Sequence, residues 1–142
     1  MALRLIDDLF WNDEYISDLD TDGKCLYEYC IHNPQQKPHG VFIVSVDQIA
    51  LHTGIAVDKV KILLEKFDKA GKVKWIPEQK KVWTKKFLLI QMKNPTWFKG
   101  VIKALKKEDC TLVKEYVKYY NDLNFWKENN VDISELENQK EQ

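Results

Sequence analysis

From Ser45 to Thr84 the apolar positions change period twice, and the changes outline a compact unit. Val46, Ile49 and Ala50 share one face of a short helix over residues 46–52, with Ser45 as its N-cap. Thr53-Gly54 closes that helix, because glycine takes the left-handed conformation that redirects the chain steeply into a second one. In the second helix, starting at Asp58 or the residue before it and running to Ala70, Val60, Leu63, Leu64 and Phe67 recur at helical spacing. Lys59, Ile62, Lys66 and Lys69 lie on its opposite side. Gly71 stops it, and Lys72-Val73-Lys74-Trp75-Ile76 and Lys81-Val82-Trp83-Thr84 read as strands joined by the polar loop 77–80. This is the order of a winged helix-turn-helix, with the second helix as recognition helix and the hairpin as wing.

The flanks complete a fold that is mainly α with a small β-sheet. Leu26, Tyr27, Tyr29, Cys30 and Ile31 predict a first helix that ends near Asn33-Pro34. Gly40-Val41-Phe42-Ile43-Val44 reads as the small strand that completes the sheet. Phe87-Leu88-Leu89-Ile90-Gln91 leads to Asn94-Pro95, which caps a helix through Trp97, Phe98, Val101, Ile102 and Leu105. A last helix over 112–123 sets Val113, Tyr116, Val117 and Tyr120 on one stripe, which packs either on the domain or on a second copy. The expected division is an N-terminal extension over 1–20, a winged-helix domain over 21–90, additional C-terminal helices over 91–124, and a polar tail or linker over 125–142.

Charge sharpens this picture. The 142 residues sum to zero net charge, but residues 1–56 carry −6, residues 57–107 carry +11 and residues 108–142 carry −5. The basic block covers the second helix, the hairpin and the chain from there to residue 107, and a phosphate backbone is attracted to such a block by counterion release. The plainer reading is a solvated lysine face. Three cysteines cannot all pair within one chain, no apolar leader precedes them, and no run is long enough to span a membrane. A reducing cytoplasmic setting is therefore expected, with no membrane partner.

Lys59, Lys61, Lys66 and Lys69 on the second helix, with Lys72, Lys74, Lys80 and Lys81 on the hairpin, are the candidate phosphate contacts. Base edges are usually read by Arg, Asn or Gln, and the one arginine is Arg4, so weak sequence specificity is expected. His52 and Thr53 are the candidates for near-base contacts, although His52 also fits a plain polar helix end. Trp75 and Trp83 would either stack on unpaired bases or pack, across the hairpin or in a subunit contact. With Val113, Tyr116, Val117 and Tyr120 they form the candidate self-association set. Cys25, Cys30 and His32 match no common zinc spacing, and the two cysteines read as buried small hydrophobes. Asp7-Asp8 and Asp13-Glu14 lack the histidine, nucleophile or glycine-rich loop that catalysis would need. No catalytic residue, metal or cofactor is expected.

An ordered set of short signatures runs through the chain: Phe10-Trp11-Asn12-Asp13, Asn33-Pro34 before Gly40-Val41-Phe42, Thr53-Gly54, Gly71-Lys72-Val73, Val82-Trp83, Phe87, Gln91, Asn94-Pro95 and Gly100. Together, over about Phe10 to Tyr120, they resemble the N-terminal winged-helix domain of DnaD-like phage and prophage replication-initiation proteins. The resemblance implies a replisome organiser or primosome component that recognises or remodels origin DNA, helps deliver the replicative helicase through its loader, and catalyses nothing. It supports self-association as well as DNA binding, since in the DnaD branch the winged domain serves largely to self-associate. Two departures stand out: Lys86 replaces the asparagine expected before Phe87, and the chain carries no counterpart of the relatives' second, C-terminal domain.

The residues leave several functional classes open. The first is a DNA-binding replication protein whose partners are DNA, a helicase loader or other replication proteins, and copies of itself. A transcriptional regulator of the same fold competes with it. A protein-interaction or oligomerisation module without strong DNA affinity is the third, and an enzyme ranks last.

Overall fold

The computed structural model describes residues 4–5, 8–91 and 93–137, a mainly helical chain with one three-stranded antiparallel sheet. It divides into two compact units, the first reaching Gln91 and the second beginning at Met92.

Unit 1 begins with a 3-10 turn over Asp8–Asn12 and two helices, α1 (Glu14–Ser17) and α2 (Thr21–Ile31). Asp13 caps α1 by accepting from the Ile16 amide, and Asp20 caps α2 by accepting from Gly23 at 2.7 Å. Phe10, Ile16 and Leu19 are buried in the same core as α2. The stretch expected as an N-terminal extension over 1–20 thus contributes Phe10, Ile16 and Leu19 to the core. Asp7 lies outside the described residues.

The middle of the unit has the expected order. Strand β1 (Val41–Ile43) leads to α3 (Val46–Thr53), capped by the Ser45 hydroxyl, and Gly54, at φ +78°, turns the chain into α4 (Val57–Lys69). Gly71, also left-handed at φ +75°, ends the exit from α4. Strands β2 (Val73–Ile76) and β3 (Lys81–Thr84) form a hairpin, and β3 lies between the other two, with Phe42 opposite Val82 and Trp75 opposite Val82. The core is built where Val60, Leu63, Leu64 and Phe67 of α4 meet α2, α3 and the sheet face carrying Phe42, Val73 and Val82.

Buried polar groups tie these layers together. The Cys30 carbonyl, one of the last of α2, accepts from Thr84 Oγ1 at 2.6 Å and from Gln36 Nε2 at 2.8 Å, while Asn33 Nδ2 donates to the Tyr29 carbonyl. Thr84, Gln36 and Asn33 are all buried for this reason. His39, in the loop before β1, is buried as well. Gln91, just after α5 (Phe87–Ile90), accepts from the Leu5 amide and donates to the Leu5 carbonyl, both at 2.9 Å.

Gly40 precedes β1 at φ +82°, and a Cβ there would lie 3.1 Å from Phe87 and 3.3 Å from the Thr84 carbonyl. Gly40→Ala meets both a disfavoured backbone and a filled space. It is expected to lower unfolding free energy by about 2 kcal/mol, measured as an earlier urea midpoint at unchanged slope.

Unit 2 holds α6 (Pro95–Leu105), α7 (Cys110–Asp122), α8 (Phe125–Glu128) and α9 (Ser134–Glu137). Asn94 caps α6 by accepting from the Trp97 amide, and Pro95 occupies its first turn. Phe125 and Trp126 are buried against Tyr120, and Trp126 Nε1 donates to the Val117 carbonyl at 3.1 Å. Leu136 is buried too. The polar tail expected over 125–142 is thereby corrected for its described part, because these three side chains anchor it; residues 138–142 lie outside the described residues. Among the described residues no helix is long and apolar enough to cross a membrane.

Candidate nucleic-acid interface

Helix α4 presents the clearest site in unit 1. Burying residues 60, 63, 64 and 67 turns the other side outward, so Lys61, Lys66 and Lys69 are exposed and, among the described residues, held by no ion pair. Ile62, 64 % exposed, lies on the same outward side, as the spacing predicts. The Asp68 carboxylate accepts from the Trp75 amide at 2.8 Å and so fixes β2 against the end of α4. Lys80 is exposed just after the turn Pro77–Gln79, in the left-handed conformation at φ 55°.

The other expected phosphate contacts are placed differently. Lys59 lies 2.9 Å from Asp20 and 2.8 Å from Asp22, which makes it a clamp between α4 and the start of α2. Lys72 stands over the Tyr15 ring, 4.9 Å from its centroid. These two lysines already have intramolecular partners, which a phosphate would have to share or displace. Lys74 and Lys81 are half-buried on the sheet face opposite the α4 core, the face that also carries Trp83.

The Lys59 hydrogen bond, followed by the Gly23 amide, holds the Asp20 carboxyl below its usual value, while Asp22 and Asp20 raise Lys59. At Asp13, burial pushes upward, but the Ile16 amide and Lys86 together outweigh it and lower the carboxyl. A carboxylate with a depressed folded pKa stabilises above its unfolded value of 3.8, and that contribution disappears as pH falls through the folded value. Asp20→Asn keeps a capping oxygen but loses the charge. It is therefore expected to be less stable than the parent protein near neutral pH, with the gap closing below about pH 3.8 in urea titrations run across the acid range.

His52 and Thr53 stand at the turn between α3 and α4, with their polar atoms engaged. His52 Nδ1 is 2.7 Å from Tyr29 Oη and Nε2 is 2.6 Å from Gln48 Nε2. With the Gln48 amide donating to Nε2, the ring proton belongs on Nδ1, which donates to Tyr29. Burial pushes the Tyr29 phenol up to about 12, so it stays neutral in this role. Thr53 Oγ1 donates to the Ile49 carbonyl at 2.8 Å and accepts from the Ile55 amide at 3.2 Å. Both residues build the turn, with these polar atoms already bonded within the protein.

The self-association set changes most. Trp83 is 1 % exposed, and Val113, Tyr116 and Tyr120 are buried. Tyr116 and Tyr120 pack edge to face at 4.8 Å and join Phe125 and Trp126 in the core of unit 2. Trp75 is half-buried against the unit 1 core, and Val117 is half-buried. Most of this stripe is internal packing, and the large apolar side chains that unit 1 exposes most among the described residues are Leu51 at 76 %, Ile62 and Trp11.

Cys30 is fully buried, and burial raises its thiol to about 12, while Cys25 is exposed, correcting the expectation that both are buried. The Lys59 clamp escaped periodicity because its partners lie 37 and 39 positions away; the acidic pair flanking Thr21 was the available signal. Compared with family models, curated proteins and solved structures, the chain gives no match.

Proposed function

We propose that unit 1 is a winged helix-turn-helix that binds duplex DNA through lysine–phosphate contacts, with α4 as recognition helix and the β2–β3 hairpin as wing. The observation that carries this reading is the row of exposed lysines at 61, 66 and 69 on the side of α4 turned away from the core. Helix order and the strand order β1-β3-β2 support it, as does the hydrogen bond that holds the hairpin to α4. Lysines without arginine position a backbone but read few base edges, so the binding is weak in sequence preference.

In cellular terms the proposal is a replication-initiation component of phage or prophage type, with DNA, a helicase loader or another replication protein, and further copies of the chain as partners. The signatures that resemble DnaD-like proteins support this role. Several have structural work here: Asn33, Gly54 and Asn94 each make a capping or turn contact, and Gln91 bonds the distant Leu5 backbone. A second reading, an interaction module without strong DNA affinity, draws support from exposed Leu51, Ile62 and Trp11.

The test is fluorescence anisotropy of a labelled random-sequence duplex over a salt series. Binding that weakens steeply with salt is expected. Absence of binding at low salt, with self-association in ultracentrifugation, would move the protein to the second class.

A further inference from the structure

Unit 2 contains a groove of about 630 Å³ between α6 and the segment 129–135. Phe98, Ile102 and Val131 give it an apolar floor, and Phe98 is held there by its edge contact with Phe125 at 6.0 Å. Lys99, Lys103 and Lys106, spaced four and three apart, run along one wall of the groove on α6. Lys99 and Lys103 are exposed and, among the described residues, have no carboxylate partner. Lys106 is paired with Glu135 across the groove, which shows that a carboxylate reaches this row from the facing wall.

We propose that this groove binds an acidic amphipathic peptide segment of a partner protein. Its carboxylates pair with Lys99 and Lys103, extending the arrangement that Glu135 makes with Lys106, and its apolar side chains lie on Phe98, Ile102 and Val131. The volume holds a few side chains rather than a folded domain, and the pairing of an apolar floor with a basic rim suits a helix laid in a groove. A nucleic-acid strand fits less well, because the aliphatic side chains of Ile102 and Val131 on the floor suit an apolar side chain better than a phosphate or a sugar. The chain's own residues 138–142, Asn-Gln-Lys-Glu-Gln, offer no apolar side chain for the floor.

The experiment uses the full chain and a fluorescein-labelled peptide of about 12 residues, with Glu on one helical face and Leu and Phe on the other, long enough to run along α6. Binding is expected to be at least about tenfold tighter than that of a polyglutamate of equal length, and at least about tenfold weaker in the Lys99→Glu/Lys103→Glu variant. The Lys61→Glu/Lys66→Glu/Lys69→Glu variant should bind the peptide as the parent does, and amide shifts on titration should map to residues 93–106 and 129–135. Equal affinity for polyglutamate, binding that survives the α6 substitutions, shifts confined to α4, or preference of this groove for a single-stranded oligonucleotide would each overturn the proposal. Circular dichroism of each variant separates lost binding from lost fold.

Discussion

Reversing the charge at Lys61, Lys66 and Lys69 together is expected to weaken binding of a random-sequence duplex by about 100-fold near 50 mM salt. It should also lower the slope of log affinity against log salt by about 3, close to one unit for each phosphate contact removed. These side chains are exposed on α4 and their stems are not part of the core, so the folded state should be kept. Lys59→Met supplies the contrast. Its ammonium is already shared by Asp20 and Asp22, and its loss should change affinity by no more than about threefold while loosening the link between α4 and α2. Anisotropy titrations of the parent and both variants at several salt concentrations check this. If Lys59→Met matched the triple variant, the interface would lie nearer α2 than the outward side of α4. If the triple variant bound like the parent, α4 would not be the DNA-contacting helix.

Phe67→Ala should have the largest effect on stability. Phe67 is fully buried and meets Tyr27 edge to face at 5.4 Å and Tyr15 at 6.3 Å, so it joins α4 to α2 and to the N-terminal segment. Truncating a buried phenylalanine removes its transfer free energy and leaves a cavity, together about 4 kcal/mol, and the lost ring contacts come on top. A unit of this size has about twice that in reserve, so its melting temperature should fall by roughly 15–25 °C in calorimetry. A fall of only a few degrees would mean that the surrounding rings collapse into the space.

Much of the middle of unit 1, and the start of α6 in unit 2, was legible because the signals there are local. Ser45, Gly54, Gly71 and Asn94-Pro95 act on the residues beside them, and each does in the structure what its chemistry predicts. The 3.6-residue spacing on α4 separated the buried from the outward side correctly, Ile62 included. What failed was non-local. Both faces of β3 are buried, so alternation could not show that Trp83 is inside. Residues 8–20 form a 3-10 turn and a four-residue helix, too short for any period to emerge, although Phe10, Ile16 and Leu19 are apolar. In the candidate site, lysine counting could not separate Lys61, Lys66 and Lys69 from Lys59 and Lys72. That division depends on which carboxylate or ring the fold brings alongside.

Gln91 bonds both the amide and the carbonyl of Leu5, closing a loop of 86 positions with one side-chain amide. Cutting the gene for unit 1 after Ile90 would remove that clasp on Leu5 and leave Arg4 its bond to the Gln36 carbonyl, whereas a boundary one codon later keeps both. A fragment made for DNA titrations or crystallisation therefore gains from retaining position 91.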